Sequence, residues 1–212
     1  MIKAIIFDLG GVLISLDKAR CIRAFQEVAG FERIEEFLDT SHQRGMIGDL
    51  EAGRISVAEF FEECRKYCRP GVTDADIRRC FHALLNPIEP GTVAFLRQLA
   101  LSHDLYILTN NSSVTMEKTY EDARNAGIDL QATFRHIFVS QDLRMLKPSQ
   151  EIFAHVIHAI GLPPEEMLYV DDSLRNVEAA RMAGLNAVHH VPGTDLRATL
   201  APYLAQSPAP EA

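Results

Sequence analysis

The sequence predicts an α/β fold, a parallel sheet with helices on both faces, interrupted early by an all-helical insertion. Three observations carry this. Short apolar runs recur at residues 4–7, 105–108, 137–139, 167–170 and 187–189, with helical periods between the later ones. Residues from about 15 to 86 show helical periods and no clear strand. Four polar segments each lie at or just after the end of a predicted strand.

The first run ends in Asp8 and is followed by Gly10 and Gly11, so a buried strand opens into a tight loop. The insertion begins soon after. Ile22, Phe25, Val28 and Ala29 form one helical stripe, and Val57, Phe60, Phe61 and Cys64 form another behind a Ser56–Glu59 capping box. Thr73 caps a third helix, with Ile77, Cys80, Phe81, Leu84 and Leu85 facing inward. Beyond the insertion, Pro90 starts a helix with Val93, Leu96 and Leu99 inward. A second helix runs from about Ser112 to Gly127, a third follows Pro148 and stops at Gly161, and a fourth runs from Ser173 to Gly184. The expected organisation is a Rossmann-like core of residues 1–14 and 88–205, a helical insertion at 15–87 and a frayed tail at 206–212. Such an insertion overhangs the carboxyl edge of the sheet, where open α/β sheets bind ligands.

Composition narrows the function. The chain has 212 residues, 47% of them hydrophobic, enough for a sizeable core. A net charge of -8 argues against a nucleic-acid partner while leaving room for a small phosphate in a local site. No apolar run has the length of a membrane span. Asp8 interrupts the apolar start, and no convincing cleavage site follows, so the N-terminus reads as strand and loop rather than signal peptide. A cytoplasmic monomer or homodimer without a membrane partner is expected. Cys64 and Cys68 share a helical face, but no CxxC or finger-like histidine pair is present. Those two, Cys21 and Cys80 are therefore expected to pack as small hydrophobes.

The four polar segments are FDLGGV around Asp8, LTNN around Thr109 and Asn110, LKP around Lys147, and VDDS around Asp171 and Asp172. In a parallel sheet they converge on one edge. They combine a nucleophilic carboxylate, hydroxyl and amide donors, an ammonium and a carboxylate pair, which is a set for phosphoryl transfer. An aspartate can carry a covalent phosphoryl group. Clustered carboxylates gather Mg²⁺, which shares its coordination with substrate phosphate. The metal and Lys147 offset repulsion between anionic nucleophile and anionic substrate. Thr109, the amides after it and the next helix start can hold the phosphoryl oxygens. Singly, each segment has a structural explanation, as a turn cap, a helix cap, a surface lysine or an acidic helix start. Chance poorly explains all four in this order.

On these motifs the chain resembles the haloacid dehalogenase-like hydrolases with a helical cap of the first type. FDLGGVL resembles the first family motif, LTN the second, LKP the third and VDDSLRNVEAARMAG the fourth, spanning about Lys3 to Val191. HQRGMIGDLEAGRIS and VSQDLRMLKPSQEIF look closest to the sugar-phosphate phosphatase branch typified by bacterial α-D-glucose-1-phosphate phosphatases. The resemblance implies a magnesium-dependent hydrolase of small phosphate monoesters with Asp8 as nucleophile. It implies magnesium ligation by Asp8, the Gly10 carbonyl and Asp172, with Asp171 beside them or on Lys147. Thr109, Asn110 and Lys147 are implied around the substrate phosphate, Asn176 as a support for the carboxylates, and residues 15–87 as a cap that closes over the site.

One position departs from the family's usual Asp-x-Asp pattern. The second aspartate protonates the leaving alcohol and then activates water, and here Gly10 stands in its place. Proton transfer of this kind is worth about 10²–10⁴-fold. Either another group substitutes, with His42 and Asp17 as candidates, or water suffices for good leaving groups, or the enzyme is weak. Gly10→Asp is expected to restore a proton donor, provided the loop does not need backbone angles that glycine tolerates and aspartate dislikes. Other readings are a metal-free dehalogenase, disfavoured by the double aspartate, and a feeble binding or regulatory protein that keeps the fold. His42, Arg44, Asp49, Glu51 and Arg54 are polar enough to meet a hydroxylated substrate, yet would look the same on a solvated loop.

Overall fold

The computed structural model describes residues 1–38 and 45–204. His42, Arg44 and the tail at 206–212 lie outside the described residues. Strand β1 (Ala4–Phe7) precedes a helical stretch of α1 (Lys18–Ala24), which runs directly into a π-helical turn at Phe25–Ala29, then α2 (Ile34–Phe37), α3 (Gly45–Glu51), α4 (Val57–Arg65) and α5 (Asp74–His82). After α6 (Pro90–Leu99) come β2 (Asp104–Thr109), α7 (Ser113–Asn125), α8 (Leu130–Thr133), β3 (His136–Val139), α9 (Ser140–Leu143) and α10 (Gln150–Ile160). Strand β4 (Met167–Asp171), α11 (Leu174–Met182), β5 (Asn186–His189) and α12 (Leu196–Leu204) complete the order. No helix among the described residues is long and apolar enough to cross a membrane.

The five strands form one parallel sheet in the order β3-β2-β1-β4-β5. The chain therefore works outward from β1 in one direction and then returns to its other side. The switch falls between β1 and β4, where doubly wound sheets open a crevice at the strands' carboxyl ends. Alternation along each strand divides the core. Ile5, Phe7, Leu105, Ile107, Leu168 and Val170 pack on one face beneath α6, α7 and α12. Ala4, Ile6, Tyr106, Leu108, Met167 and Tyr169 pack on the other beneath α10 and α11. Every residue of β1 is fully buried, and each of Ile5, Ile6 and Phe7 contributes roughly 1.5–3 kcal/mol by leaving water. That burial on both faces explains why the strand reads as a continuous apolar run.

The helical stretch has an apolar cluster of its own, built on Cys21, Phe25, Phe31, Phe60, Phe61 and Phe81 and joined by Val114 of α7. Capping boxes at Ser56–Glu59 and Thr73–Asp76 start α4 and α5. The cysteines are all free, and burial pushes the Cys21 thiol up to about 12 and Cys80 to about 11, as expected of side chains that pack rather than react. One stripe residue differs from expectation: Val28 is exposed, because the π-helical turn widens the spacing and buries Cys21, Phe25 and Ala29 instead. The chain enters and leaves the helical stretch through adjacent segments paired at Leu16 and Leu85. There the Asp17 amide donates to the Leu84 carbonyl at 2.7 Å and the Asn86 amide to Ser15 at 3.1 Å. Asp17, a sequence candidate for proton transfer, accepts a hydrogen bond from the Arg20 amide and caps α1.

Candidate active site

The ends of β1, β2 and β4 and the loop after α9 bring Asp8, Thr109, Lys147, Asp171 and Asp172 to one edge, where all but Asp171 line a cavity of about 480 Å³. Its floor comes from the loops after β1, β2 and β4. Its far wall comes from the helical stretch, chiefly Phe37, Ile47, Leu50, Glu51, Phe60 and Phe81.

Lys147 organises the floor. Its side chain is 1% exposed and its ammonium donates to the Leu108 carbonyl at 3.0 Å and to Asp171 Oδ2 at 2.8 Å, with Asp8 Oδ1 at 2.9 Å. All three N–H donors are therefore used. The reciprocal clamp of Asn110 fixes its backbone: Asn110 Oδ1 accepts from the Lys147 amide at 2.9 Å and Asn110 Nδ2 donates to the Lys147 carbonyl at 3.0 Å. The Asn110 side chain is thus committed to Lys147 rather than to the cavity.

Adjacent in sequence, Asp171 and Asp172 face different surroundings. Asp171 is fully buried and accepts hydrogen bonds from Lys147, the Tyr169 hydroxyl, the Ser173 amide at 2.7 Å and Asn176 Nδ2 at 3.0 and 3.1 Å. Burial alone raises its pKa, but the Lys147 charge and these hydrogen bonds outweigh that and hold it below the ordinary value. Asp172 is partly exposed and lines the cavity. Burial, then the charge of Asp171, raises its pKa. Burial also raises Asp8 to about 7, against the pull of Lys147. One ammonium thus faces three carboxylates, an excess of negative charge that favours a bound cation.

Oxygens of Asp8, Asp171 and Asp172 lie within 4.8 Å of one another, a hard-donor set that fits a divalent cation. Gly10 lines the same cavity. The positive φ of +78° belongs to Gly11, and Gly10 holds no conformation reserved for glycine. A Cβ on Gly10 would meet only the flexible Leu16 side chain, at 3.1 Å, whereas one on Gly11 would lie 2.3 Å from Asp172 Oδ2.

The start of α7 offers a phosphate less than its position suggests. The Asn111 amide donates to Ser140 Oγ at 3.0 Å, the Ser112 amide to Asn111 Oδ1 at 2.9 Å and the Ser113 amide to Gln141 Oε1 at 2.7 Å. The buried Thr109 and its neighbour Asn110 line the cavity beside these committed amides.

Several site residues escape the motif reading. Tyr169 sits two residues before Asp171 on β4 and therefore on the same side of the strand, a strand-period signal. Arg175, the second residue of α11, lines the cavity. Glu51 also lines it, from the end of a helix rather than from a solvated loop. Burial, then the charge of Asp8, raises its carboxyl to about 8. Asp49 and Arg54, grouped with it in the sequence, instead pair with each other at 2.7 Å with exposed side chains.

Comparison with known proteins agrees with this geometry. The profile of the haloacid dehalogenase-like hydrolases matches residues 2–184. A D-ribitol-5-phosphate phosphatase of Bacteroides thetaiotaomicron is 27% identical over 201 residues, covering 94% of this chain and 97% of that protein. A HAD family enzyme of the same organism, crystallised with magnesium and inorganic phosphate, superposes with a TM-score of 0.85 at 29% identity over 92% of this chain and 97% of its own. A HAD-like family hydrolase of Porphyromonas gingivalis gives a TM-score of 0.88 at 29% identity, over 98% of this chain and all of the other. The chain belongs to the haloacid dehalogenase-like hydrolase family.

Proposed function

We propose that the protein is a magnesium-dependent phosphatase of small phosphate monoesters, sugar and polyol phosphates among them, working through an aspartyl-phosphate on Asp8. The observation that carries this is the Lys147 ammonium bridging Asp8 and Asp171 at the switch between β1 and β4, with Asp172 in ligating reach. The D-ribitol-5-phosphate phosphatase and the magnesium–phosphate complex among its relatives support it.

In this reading an Asp8 oxygen attacks phosphorus, and the bond to the ester oxygen breaks as the new bond forms. Lys147 holds the carboxylate in position, while the Thr109 hydroxyl and Asn110 amide donate to phosphoryl oxygens. Asp8, Asp172 and the Gly10 carbonyl would hold Mg²⁺, and Asp171, occupied by Lys147, Tyr169, Ser173 and Asn176, positions Lys147. Bound there, Mg²⁺ offsets the charge of the phosphoryl group and the carboxylates. Residues 1–14 and 88–205 act as the catalytic core, and residues 15–87 act as a cap that excludes water. Four free thiols fit a reducing, cytoplasmic setting.

Screening phosphate esters with and without Mg²⁺ tests the proposal. Thorough chelation should abolish turnover and added Mg²⁺ restore it. Ester turnover unchanged by chelation would overturn the magnesium requirement, and inactivity on every ester would favour carbon–halogen chemistry. A second expectation follows from Gly11. Alanine there adopts a backbone conformation costing about 1–2 kcal/mol and pushes Asp172 away. Turnover at fixed Mg²⁺ should fall on the order of a hundredfold, with partial recovery at higher Mg²⁺. Full activity at low Mg²⁺ would remove Asp172 from the ligand set.

A further inference from the structure

We infer that Glu51, delivered from the helical stretch, is the proton donor and acceptor that Gly10 cannot be. The inference rests on the phosphatase reading above and names the residue that completes it.

The placement is built rather than incidental. Glu51 is the last residue of α3 and lines the same cavity as Asp8, Gly10, Thr109 and Lys147. Its carbonyl accepts a 2.6 Å hydrogen bond from Ser140 Oγ. The same oxygen, Ser140 Oγ, accepts from the Asn111 amide at 3.0 Å, so the end of α3 is tied to the loop that carries Thr109 and Asn110. Two residues on, Gly53 has a φ of +62°, and a Cβ there would lie 2.4 Å from the Gln141 carbonyl. Only glycine lets this turn dock so closely on α9. These contacts fix the Glu51 backbone against the β2 and β3 ends. The cavity wall that the helical stretch contributes also includes the apolar Ile47, Leu50, Phe60 and Phe81. An apolar wall favours the protonated carboxyl, the form a leaving alcohol needs.

The proton balance closes. As the Asp8 oxygen bonds to phosphorus, the ester P–O bond breaks, its electron pair goes to the leaving oxygen, and that oxygen takes the Glu51 proton. Alcohol departs and Glu51 is left as carboxylate. It then takes a proton from water as the water oxygen bonds to phosphorus. The P–O bond to Asp8 breaks, its electron pair returns to the Asp8 carboxylate, and phosphate leaves with Glu51 again protonated.

Glu51→Gln keeps the shape and removes the proton, and the test compares an aryl phosphate with glycerol phosphate under Mg²⁺. With native protein, leaving-group acidity should have little influence on rate. In Glu51→Gln, glycerol phosphate turnover should fall about 10²–10⁴-fold. The aryl phosphate should instead give a burst of one phenol per site followed by slow turnover, because phosphorylation of Asp8 proceeds while its hydrolysis lacks a base. The burst also counts folded sites. Adding Gly10→Asp to Glu51→Gln should restore glycerol phosphate turnover, since only Leu16 must yield. An unchanged ratio of the two substrates without a burst would overturn the role of Glu51 and leave the phosphatase reading intact. A native protein inactive on every phosphate ester would overturn both.

Discussion

Asp8→Asn should leave a folded protein whose turnover is lower by at least about a thousandfold, the scale of losing a covalent nucleophile. Asparagine keeps the oxygen that accepts from the Leu9 amide at 2.7 Å and that Lys147 approaches at 2.9 Å. It loses the charge and the nucleophilic pair. The fold should survive for an electrostatic reason. Burial raises the Asp8 pKa from 3.8 to about 7, so in the absence of a cation ionisation is easier in the unfolded chain. A carboxyl raised in this way costs the native state stability as pH climbs from its unfolded value towards the folded one, and the cost stays in place above it. The amide carries no such cost. Cation-free Asp8→Asn should therefore melt no lower than the native protein above pH 7, with the comparison least favourable to the variant near pH 4. Beryllium fluoride with Mg²⁺ should raise the melting point of the native protein and leave the variant unmoved. Near-native turnover by Asp8→Asn would end the covalent mechanism.

The parts of this site legible in the sequence are those whose chemistry and secondary structure coincide. Asp8, Thr109 and the Asp171–Asp172 pair each terminate an apolar run, and a parallel sheet has one edge at which such ends meet. What the pair of aspartates does was less legible. Both orientations of neighbouring residues are compatible with VDDS, and only the packing of Tyr169, Asn176 and Lys147 around Asp171 leaves Asp172 facing the cavity. Nothing in the sequence separates the side chain of Asn110 from its backbone N–H as a phosphate donor. Its clamp on Lys147 spans 37 residues and has no local signature. Glu51 stands in the sequence as one polar residue among several between 42 and 54, and nothing local singles it out, because its anchor, Ser140, is 89 residues away. The pairing of Leu16 with Leu85 likewise joins two isolated positions with no strand period to announce it.

Lys147→Met should damage stability and chemistry together. The ammonium bridges Asp8 at 2.9 Å and Asp171 at 2.8 Å, and both carboxylates are at most 13% exposed at the side chain. Removing one partner of a buried ion pair costs about 3–5 kcal/mol, because the remaining charge is left without compensation. For a chain of this size that is a melting-point loss of roughly 6–20 °C. Asp8 should also lose the counter-charge that restrains its pKa, so the nucleophile is less ionised at neutral pH and turnover falls by a further 10²–10³-fold or about that. Arginine should not rescue, since a planar guanidinium cannot place three donors on Leu108, Asp171 and Asp8 from a side chain 1% exposed. A double-mutant cycle separates the two effects. Asp171→Asn alone strands Lys147 less severely, because Asp8 and the Leu108 carbonyl remain. Asp171→Asn with Lys147→Met removes both charges, so its loss of stability should be smaller than the sum of the single losses. Turnover should stay low in the double variant, since Asp8 still lacks its ammonium. Additive stability losses would show that the bridge between Lys147 and Asp171 carries no coupling, and an active Lys147→Met would remove the lysine from the phosphoryl chemistry.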